Sequence, residues 1–346
     1  MQSSPPCLTA DQSSSKRRRA DAADRLGDLP DSLLHSIISF LGSRQAVQTS
    51  VLSRRWSYLW RDVPCVAIDE REFTGDNWEP FEDFADHMLT SIPLETQLDA
   101  FSLHLVTGSL RYSYDNHYNT ADRWIRRGLR HFPAGVDIRA AHGTTVHWQP
   151  HRSDPSVARQ QPDLSVMGSC AAGFTSRVTT LRLVGVQLMD GFFKELGRQY
   201  PALEELHIER CQIPKFSAVT SPTLRSLVLV EAWYSIPCAH LTITAPRLAS
   251  LRLQIFYLRE NCICSTGEAQ PDPEPLPSLT EGSIRLTETF FPHIRYRERR
   301  RRKLEFLQFI RRFLGLFPNV TKLHLAGFTT TVIRSDRLMT HACSSI

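Results

Sequence analysis

Residues 29–60, LPDSLLHSIISFLGSRQAVQTSVLSRRWSYLW, pack several short helical patterns into one small block. The first helix is predicted from apolar residues at intervals of one, three and four, which share one helix face: Leu33, Leu34, Ile37, Ile38 and Leu41. Pro30 suits the first turn because its missing N–H needs no partner there, and Gly42 is expected to end the helix. A hairpin this small cannot cover so much apolar surface, so it must pack on the rest of the chain or bind another protein.

The remainder of the block repeats the helical spacing. Ser43 is expected to act as the N-cap of a second helix that contains Ala46, Val47 and Val51. A third piece places Trp56, Leu59 and Trp60 at helical spacing. Burial of one large apolar side chain contributes roughly 1.5–3 kcal/mol, and Trp and Arg are over-represented among interface hot spots. Either a larger core or a partner protein is therefore expected to cover these residues.

The combination of Leu29-Pro30-Asp31, Ile37 to Leu41 and Thr49 to Trp56 closely resembles the F-box in its plant-type form. The resemblance implies docking onto the Skp-type adaptor of a cullin–RING ubiquitin ligase. By that resemblance the residues expected to contact the adaptor are Leu29, Pro30, Leu34, Ile37, Leu41, Val51, Leu52 and Trp56. Some of these must instead form the hairpin's own core, and the sequence does not sort them.

Composition places the chain among soluble proteins with a proper core. Its 346 residues allow one to three domains, and 41% hydrophobic and 22% charged residues are ordinary proportions. The formal net charge of +5 does not by itself imply a nucleic-acid partner. We expect no membrane span, because no apolar run approaches the required length of about 18 residues.

The N-terminal residues 1–23 are rich in Ser and Asp and contain no apolar stretch of the signal-peptide type. We expect a disordered tail, in which Lys16 to Arg19 is a weak nuclear-import signal or a solvated charge run. The eight cysteines show no spacing typical of a disulfide framework or a zinc pair. These features favour reduced thiols and a location in the nucleus, the cytoplasm or both.

Beyond residue 65 a short motif recurs, in which an apolar residue is followed at the third and fifth positions by further apolar residues. Its five copies are Val178-Leu181-Leu183, Leu203-Leu206-Ile208, Leu224-Leu227-Leu229, Leu248-Leu251-Leu253 and Val320-Leu323-Leu325. The first four start 21–25 residues apart, as in leucine-rich repeats, and the gap of 72 residues before the fifth leaves room for two more units, one around Ile284 and Leu286. Residues two apart on a strand share a face, so the apolar pairs are expected to point inward and the units to stack.

Helical connections are predicted at Gly191 to Leu196 and at Leu304 to Leu314. The region also resembles the irregular repeats of plant-type F-box/leucine-rich-repeat proteins, in segments such as Phe101 to Leu105 and Pro201 to Leu206. The expected fold is α+β: a small N-terminal helical F-box followed by a leucine-rich-repeat solenoid with a curved parallel sheet. The predicted divisions are a tail at 1–23, the F-box at 24–64, the solenoid at 65–330 and a C-terminal tail at 331–346.

Motifs for catalysis are absent from the sequence: there is no Gly-rich phosphate loop, nucleophile elbow or HExxH. His142, His147 and His151 lack the Cys or Glu cluster that a metal site would need, so we predict no metal and no cofactor. The run at residues 295–303 is mostly basic and precedes a predicted helix, whose N-terminus disfavours positive charge. It is interpreted as a solvated face or, alternatively, as a site for an anionic partner such as an acidic protein segment or RNA.

The predicted function is that of a non-catalytic substrate receptor of a Skp–cullin–F-box ligase, with cullin and RING subunits reached through the adaptor. Period-two alternation places eight residues on the outward strand face that is expected to bind a target protein: Arg182, Val184, His207, Glu209, Val228, Arg252, Gln254 and His324. Two alternatives remain, an RNA- or anion-binding solenoid that uses residues 295–303, and a truncated receptor that is non-functional. The truncated receptor is an alternative because many similar proteins continue into a further C-terminal domain, whereas this sequence stops some twenty residues after Leu325.

Overall fold

The computed structural model describes Leu26 and residues 28–73, 78–106, 117–141, 146–148, 173–189, 191–213, 218–231, 233–234, 242–258, 276–289, 315 and 317–326. Its α-helices are α1 (Asp31–Ile38), α2 (Ser43–Gln48), α3 (Trp56–Leu59), α4 (Glu79–Ser91), α5 (His117–Leu129) and α6 (Leu196–Gln199). Single 3-10 turns occupy Thr49–Val51, Trp60–Asp62 and Glu70–Glu72. None of the helices in these ranges is both long and apolar enough to cross a membrane.

Thirteen strands are present in the described ranges, and nine of them form one sheet. The strands are β1 (Cys65–Asp69), β2 (Ala100–Leu105), β3 (Gly135–Ala140), β4 (Thr180–Val184), β5 (Glu205–Glu209), β6 (Gln212–Ile213), β7 (Ala218–Thr220), β8 (Ser226–Val230), β9 (Trp233–Tyr234), β10 (Thr242–Thr244), β11 (Ser250–Leu258), β12 (Glu281–Thr289) and β13 (Lys322–Ala326). The order in the large sheet is β1-β2-β3-β4-β5-β8-β11-β12-β13, and every neighbouring pair is parallel. Successive strands of the sheet thus lie side by side in chain order.

The recurring apolar motif explains this order, because it is present at all nine strands of the sheet. Its first residues are Val63, Leu98, Pro133, Val178, Leu203, Leu224, Leu248, Leu279 and Val320. The last of the three apolar residues in each motif aligns across the sheet. This row consists of Ile68, Leu103, Ile138, Leu183, Ile208, Leu229, Leu253, Ile284 and Leu325. All of these aliphatic residues are buried except Leu325, which is half-buried. One continuous row of apolar contacts therefore sets the register of the sheet.

The structure corrects the predicted count of repeats in two places. Three units at the N-terminal side were missed as copies of the motif, because their starts at Val63, Leu98 and Pro133 are spaced more widely than the predicted period. Two units were expected before Val320, but the described residues of that interval contain one strand of the sheet, β12. In this unit the middle apolar position is Gly282, and a Cβ there would lie 3.0 Å from the Leu323 side chain.

Helices α4 and α5 follow β1 and β2, and Asp86 makes several of the polar contacts that join them, with Glu82 as a second ion-pair partner of Arg123. Asp86 on α4 accepts hydrogen bonds from Arg123 (2.6 Å), Arg127 (2.7 Å) and the indole of Trp124 (2.9 Å), all on α5. The Trp124 ring is fully buried and meets Phe81 of α4 edge-on at 5.4 Å. Asp86 therefore fixes α5 against α4 with charge-assisted bonds, the stronger class of hydrogen bond.

The predicted helical segment at Gly191 to Leu196 is only partly helical. Residues 191–194 form turns, and the short helix α6 begins at Leu196. The second predicted segment, Leu304 to Leu314, lies outside the described residues.

The N-terminal helices join the sheet through a shared core and one specific hydrogen bond. The hydrophobic core is continuous from Leu34 in α1 to Phe317 beside β13. Ser43 was expected to be the N-cap of α2, but Gly42 takes that position and the Ser43 hydroxyl instead accepts a 2.8 Å hydrogen bond from the N–H of Ala67 in β1. Since Ser43 is buried, this bond satisfies a strand N–H that would otherwise lack a partner.

We expect Ser43→Ala to lower the free energy of unfolding by about 1–3 kcal/mol, because the Ala67 N–H would stay buried without an acceptor. Urea unfolding followed by tryptophan fluorescence measures this change. Ser53→Ala is the matched control, since Ser53 is exposed and should shift the midpoint only slightly. An equal loss in both variants would show that the Ser43 hydroxyl makes no specific contribution.

Candidate functional site

Helix α1 carries two apolar stripes, and only one of them is covered. Leu34 and Ile38, one turn apart, are fully buried. Leu33 and Ile37, also one turn apart, are 50% and 41% exposed. Because consecutive residues lie about 100° apart around a helix, the two pairs form neighbouring stripes. The sequence assigned all four residues to one face, whereas the structure packs one stripe on the core and leaves the other open.

Exposed apolar side chains are concentrated in the same helical block. Of the eleven large apolar residues that are exposed in the described part of the chain, seven lie between residues 26 and 58. The most exposed are Phe40 at 89% and Val51 at 84%, with Leu52 and Tyr58 above 60%. Concentrated exposed apolar surface is typical of interaction sites, so this block is the candidate for one. We refer to Leu33, Ile37, Phe40, Val51, Leu52 and Tyr58 as the open apolar set.

The eight residues predicted to contact an adaptor differ in accessibility, and their contact with an adaptor stays a prediction. Pro30, Ile37, Val51 and Leu52 are exposed, Leu29 and Leu41 are half-buried, and Leu34 and Trp56 are buried. Leu34 and Trp56 belong to the core that joins the helices to the sheet. Replacement of these two residues would therefore test the fold of the chain first.

Sequence reasoning missed several residues of this surface. Leu33, Phe40 and Tyr58 belong to the open apolar set although they were absent from the predicted contacts. Arg55 was also missed: its guanidinium donates to the Asp31 carboxylate and to the carbonyl of Leu29, which ties the start of α1 to the turn before α3. The sequence shows two adjacent apolar pairs, Leu33 with Ile37 and Leu34 with Ile38, but this pattern does not indicate which pair is exposed.

The sheet presents a second candidate surface on the side opposite its apolar row. In the register of the strands, Ser102, Asp137, Arg182, His207 and Val228 form one outward row, and this row continues through Arg252, Ser283 and His324. Of the eight predicted target-binding residues, Arg252 and His324 are exposed, Arg182, His207, Glu209 and Val228 are half-buried, and Val184 and Gln254 are buried.

Burial of Gln254 has a local cause. Its side-chain carbonyl accepts a hydrogen bond from the N–H of Glu231, a residue with a left-handed backbone conformation (φ 51°) at the end of β8. Val184 is only 2% exposed, although it lies at an outward register position beside Arg139 and Glu209. Alternation therefore identifies the face of a residue but not its accessibility.

The outward charges of the first five strands neutralise one another. Asp69 binds Arg71 and His104, Asp137 binds Arg139, and Glu209 binds His207 and Arg182. Burial of Asp69 opposes ionisation, but hydrogen bonds from Arg71 and then His104 outweigh it and lower the pKa of Asp69 to about 2. This part of the face is a closed network of ion pairs.

Several predicted features have no described geometry. The basic run at 295–303 and His142 and His151 lie outside the described residues, and His147 takes part in a β-bridge with Gln187. Within the described ranges no three His, Cys, Asp or Glu side chains come together in a group that could hold a metal ion.

Comparison with known proteins identifies relatives for both parts of the chain. Residues 26–66 match the F-box domain family. The MEIOTIC F-BOX protein MOF of Oryza sativa subsp. japonica is 36% identical over 326 residues, which cover 91% of this chain and 62% of that protein. An F-box/FBD/LRR-repeat protein of Arabidopsis thaliana is 29% identical over 60% of this chain and 49% of its own length, and an F-box/LRR-repeat protein of the same plant is 26% identical over 60% and 46%.

The chain thus spans between about two fifths and three fifths of the length of the first curated relatives that it matches. No solved structure matches it significantly.

The charge network predicts a pH dependence of stability. The pKa of Asp69 in the folded state, about 2, lies below its ordinary value of 3.8, so its ion pairs add stability above pH 3.8 that is lost as the pH falls toward 2. We expect Asp69→Asn to remove this contribution. The free energy of unfolding of the variant should therefore lie furthest below that of the wild type at pH 5 and closest to it near pH 2. Urea unfolding at several pH values measures the difference. Asp83→Asn, at an exposed Asp of α4, is the control, and a pH-independent effect of Asp69→Asn would contradict the network.

Proposed function

Since this chain is a member of the plant F-box/leucine-rich-repeat family, we propose that it is the substrate-recognition subunit of a Skp–cullin–F-box ubiquitin ligase. The helical block at residues 26–66 docks on a Skp-type adaptor, and the sheet binds a target protein. The cullin and RING subunits are reached through the adaptor. The observation that carries this proposal is the open apolar set, which lies within the F-box.

We also infer that the nine-stranded sheet is a leucine-rich-repeat solenoid. Three findings support this: the strands are parallel, they lie side by side in chain order, and each begins with the same apolar motif. A unit of this kind cannot bury its apolar side alone, so each repeat depends on its neighbours. Such an array offers a broad strand face, which is suited to binding another protein.

The open apolar set supplies a physical reason for adaptor docking. Coverage of one large apolar side chain contributes roughly 1.5–3 kcal/mol, so a few such residues can support a stable interface. Phe40, Val51 and Leu52 are largely uncovered by the described part of the chain. Leu34, Trp56 and Trp60 in contrast anchor the block to the rest of the protein.

The continuous core gives the receptor a fixed geometry. Because the F-box and the sheet share one core and the Ser43–Ala67 hydrogen bond, the adaptor surface and the target surface have a defined relative orientation. A receptor that holds adaptor and target on one scaffold raises the effective concentration of the target near the transferring subunits. We assign no catalytic group to this chain, and we propose that it acts in the nucleus or the cytoplasm.

We expect Val51→Asp and Leu52→Asp each to weaken adaptor binding at least tenfold, because a charge would be buried in the interface or hold it open. Isothermal titration of the full chain with a purified Skp-type adaptor measures the affinity. Leu94→Asp is the matched control: Leu94 is 71% exposed but lies in the loop after α4, so adaptor affinity should stay within twofold of the wild type.

Circular dichroism separates loss of contact from loss of fold. The exposed Val51 and Leu52 variants should keep the wild-type melting curve, whereas Leu34→Ala should be destabilised by about 2–5 kcal/mol because it leaves a cavity in the core. Unchanged adaptor affinity in folded Val51→Asp and Leu52→Asp variants would overturn the proposed docking surface.

A further inference from the structure

Within the described residues, several basic side chains on the outward face of the C-terminal strands have no acidic partner. In β1 to β5 the outward Arg and His side chains described above pair with Asp69, Asp137 or Glu209. In β11 to β13 the side chains of Arg252, Arg285 and His324 form no ion pair or hydrogen bond within the described residues, and all three are exposed. The two ends of one face thus differ in charge balance although they share the same strand geometry.

The nearest acidic side chains do not neutralise this group. Glu281 lies on β12 beside Ser250, and its carboxylate forms an ion pair with Lys322, with 2.7 Å between Nζ and Oε1. Glu231, which follows β8, forms no ion pair with either arginine in the described part of the chain. Two guanidinium groups on adjacent strands repel each other, so this arrangement is unfavourable for stability alone. An anionic partner would remove the repulsion.

The register gives the group a defined spacing. Arg252 lies opposite Ser283, and Ser283 lies opposite His324, so these three form one row across β11, β12 and β13. Arg285 lies two residues further along β12 and is therefore diagonal to Arg252. With strands about 4.8 Å apart and a rise of about 3.3 Å per residue, the Cα atoms of the two arginines are about 8 Å apart. Alternate residues of an extended peptide are about 6.6 Å apart, so two carboxylates at alternate positions can each reach one guanidinium.

From this geometry we infer that the outward face of β11 to β13 binds an acidic segment of the target protein, in extended form, with carboxylates at alternate positions. Arg252 and Arg285 each bind one carboxylate through their forked N–H groups, and the Ser283 hydroxyl between them supplies a further polar contact. This inference rests on the proposed function, because the segment belongs to the target of the receptor. It adds the chemical class of target that the strand face selects.

The surroundings favour a peptide over a nucleic acid. Val228 of β8 lies beside Arg252 in the register, and Val230 follows two residues along the same strand; both are half-buried and offer apolar surface near Arg252. The outward row from Ser102 to His324 contains no Phe, Tyr or Trp, so this row offers bases little stacking surface. Two arginines and one histidine also provide few contacts for a phosphate backbone.

The test uses the full chain in complex with its Skp-type adaptor and a fluorescein-labelled decapeptide of alternating Asp and Val. Fluorescence anisotropy gives the affinity of the wild type and of the double variant Arg252→Glu, Arg285→Glu. The matched control is Arg130→Glu, Arg247→Glu, which changes the net charge equally at two exposed arginines outside the group. A decapeptide with Asn in place of every Asp tests the need for carboxylates.

We expect the Arg252/Arg285 variant to bind the acidic peptide at least tenfold more weakly than the wild type, the control variant to stay within twofold, and the Asn peptide to lose at least tenfold in affinity. Equal weakening in both variants, or no binding of the acidic peptide by the wild type, would overturn the inference. Displacement of the peptide by a uridine decamer that itself requires Arg252 and Arg285 would identify a nucleic-acid site and overturn it as well.

Co-elution of adaptor with each variant tests the proposed function separately. A wild type that fails to bind adaptor refutes that function, whereas intact adaptor binding without peptide binding refutes only the inference.

Discussion

The row of aliphatic side chains from Ile68 to Leu325 is the constraint on which the other features of this protein depend. Each of these residues lies directly beside its counterpart on the next strand, and eight of the nine are buried. Because side chains alternate along a strand, a slip of one residue would turn the apolar row outward and the ion pairs inward. The same contacts that stabilise the sheet therefore determine which side chains face a partner.

How far the sequence predicts this arrangement depends on how regular its pattern is. The motifs at Val178, Leu203, Leu224 and Leu248 are closely spaced, and the predicted strand positions agree with β4, β5, β8 and β11. The motifs at Val63 and Leu98 were not recognised as repeats, because a 13-residue helix lies between the strands and lengthens each interval. The unit predicted around Ile284 and Leu286 is β12, and it matches the motif only in part because Gly282 takes the middle position, where a Cβ would lie 3.0 Å from the Leu323 side chain.

The F-box region shows a different limit of sequence reasoning. The apolar spacing of α1 predicts a helix, but it does not tell which of two adjacent stripes meets the core. That choice is made by the packing of α1 against α3 and the turn Trp60–Asp62, which buries Leu34 and Ile38. The open stripe of Leu33 and Ile37 is recognisable only after the core is known. Accessibility at the strand face has the same character, since Gln254 is buried and accepts a hydrogen bond from the Glu231 backbone, which the alternation pattern does not indicate.

Helix α2 and the first strand of the sheet have a consequence for the integrity of the whole array. A sheet built from stacked units ends in a strand whose backbone groups lack a neighbour, and such an edge readily recruits strands from other molecules. Here β1 is that edge strand, and the buried Ser43 hydroxyl engages its Ala67 N–H while α2 packs beside it. The F-box thus covers part of this edge of the sheet. A fragment that begins at β1 would keep every repeat and yet expose an aggregation-prone edge.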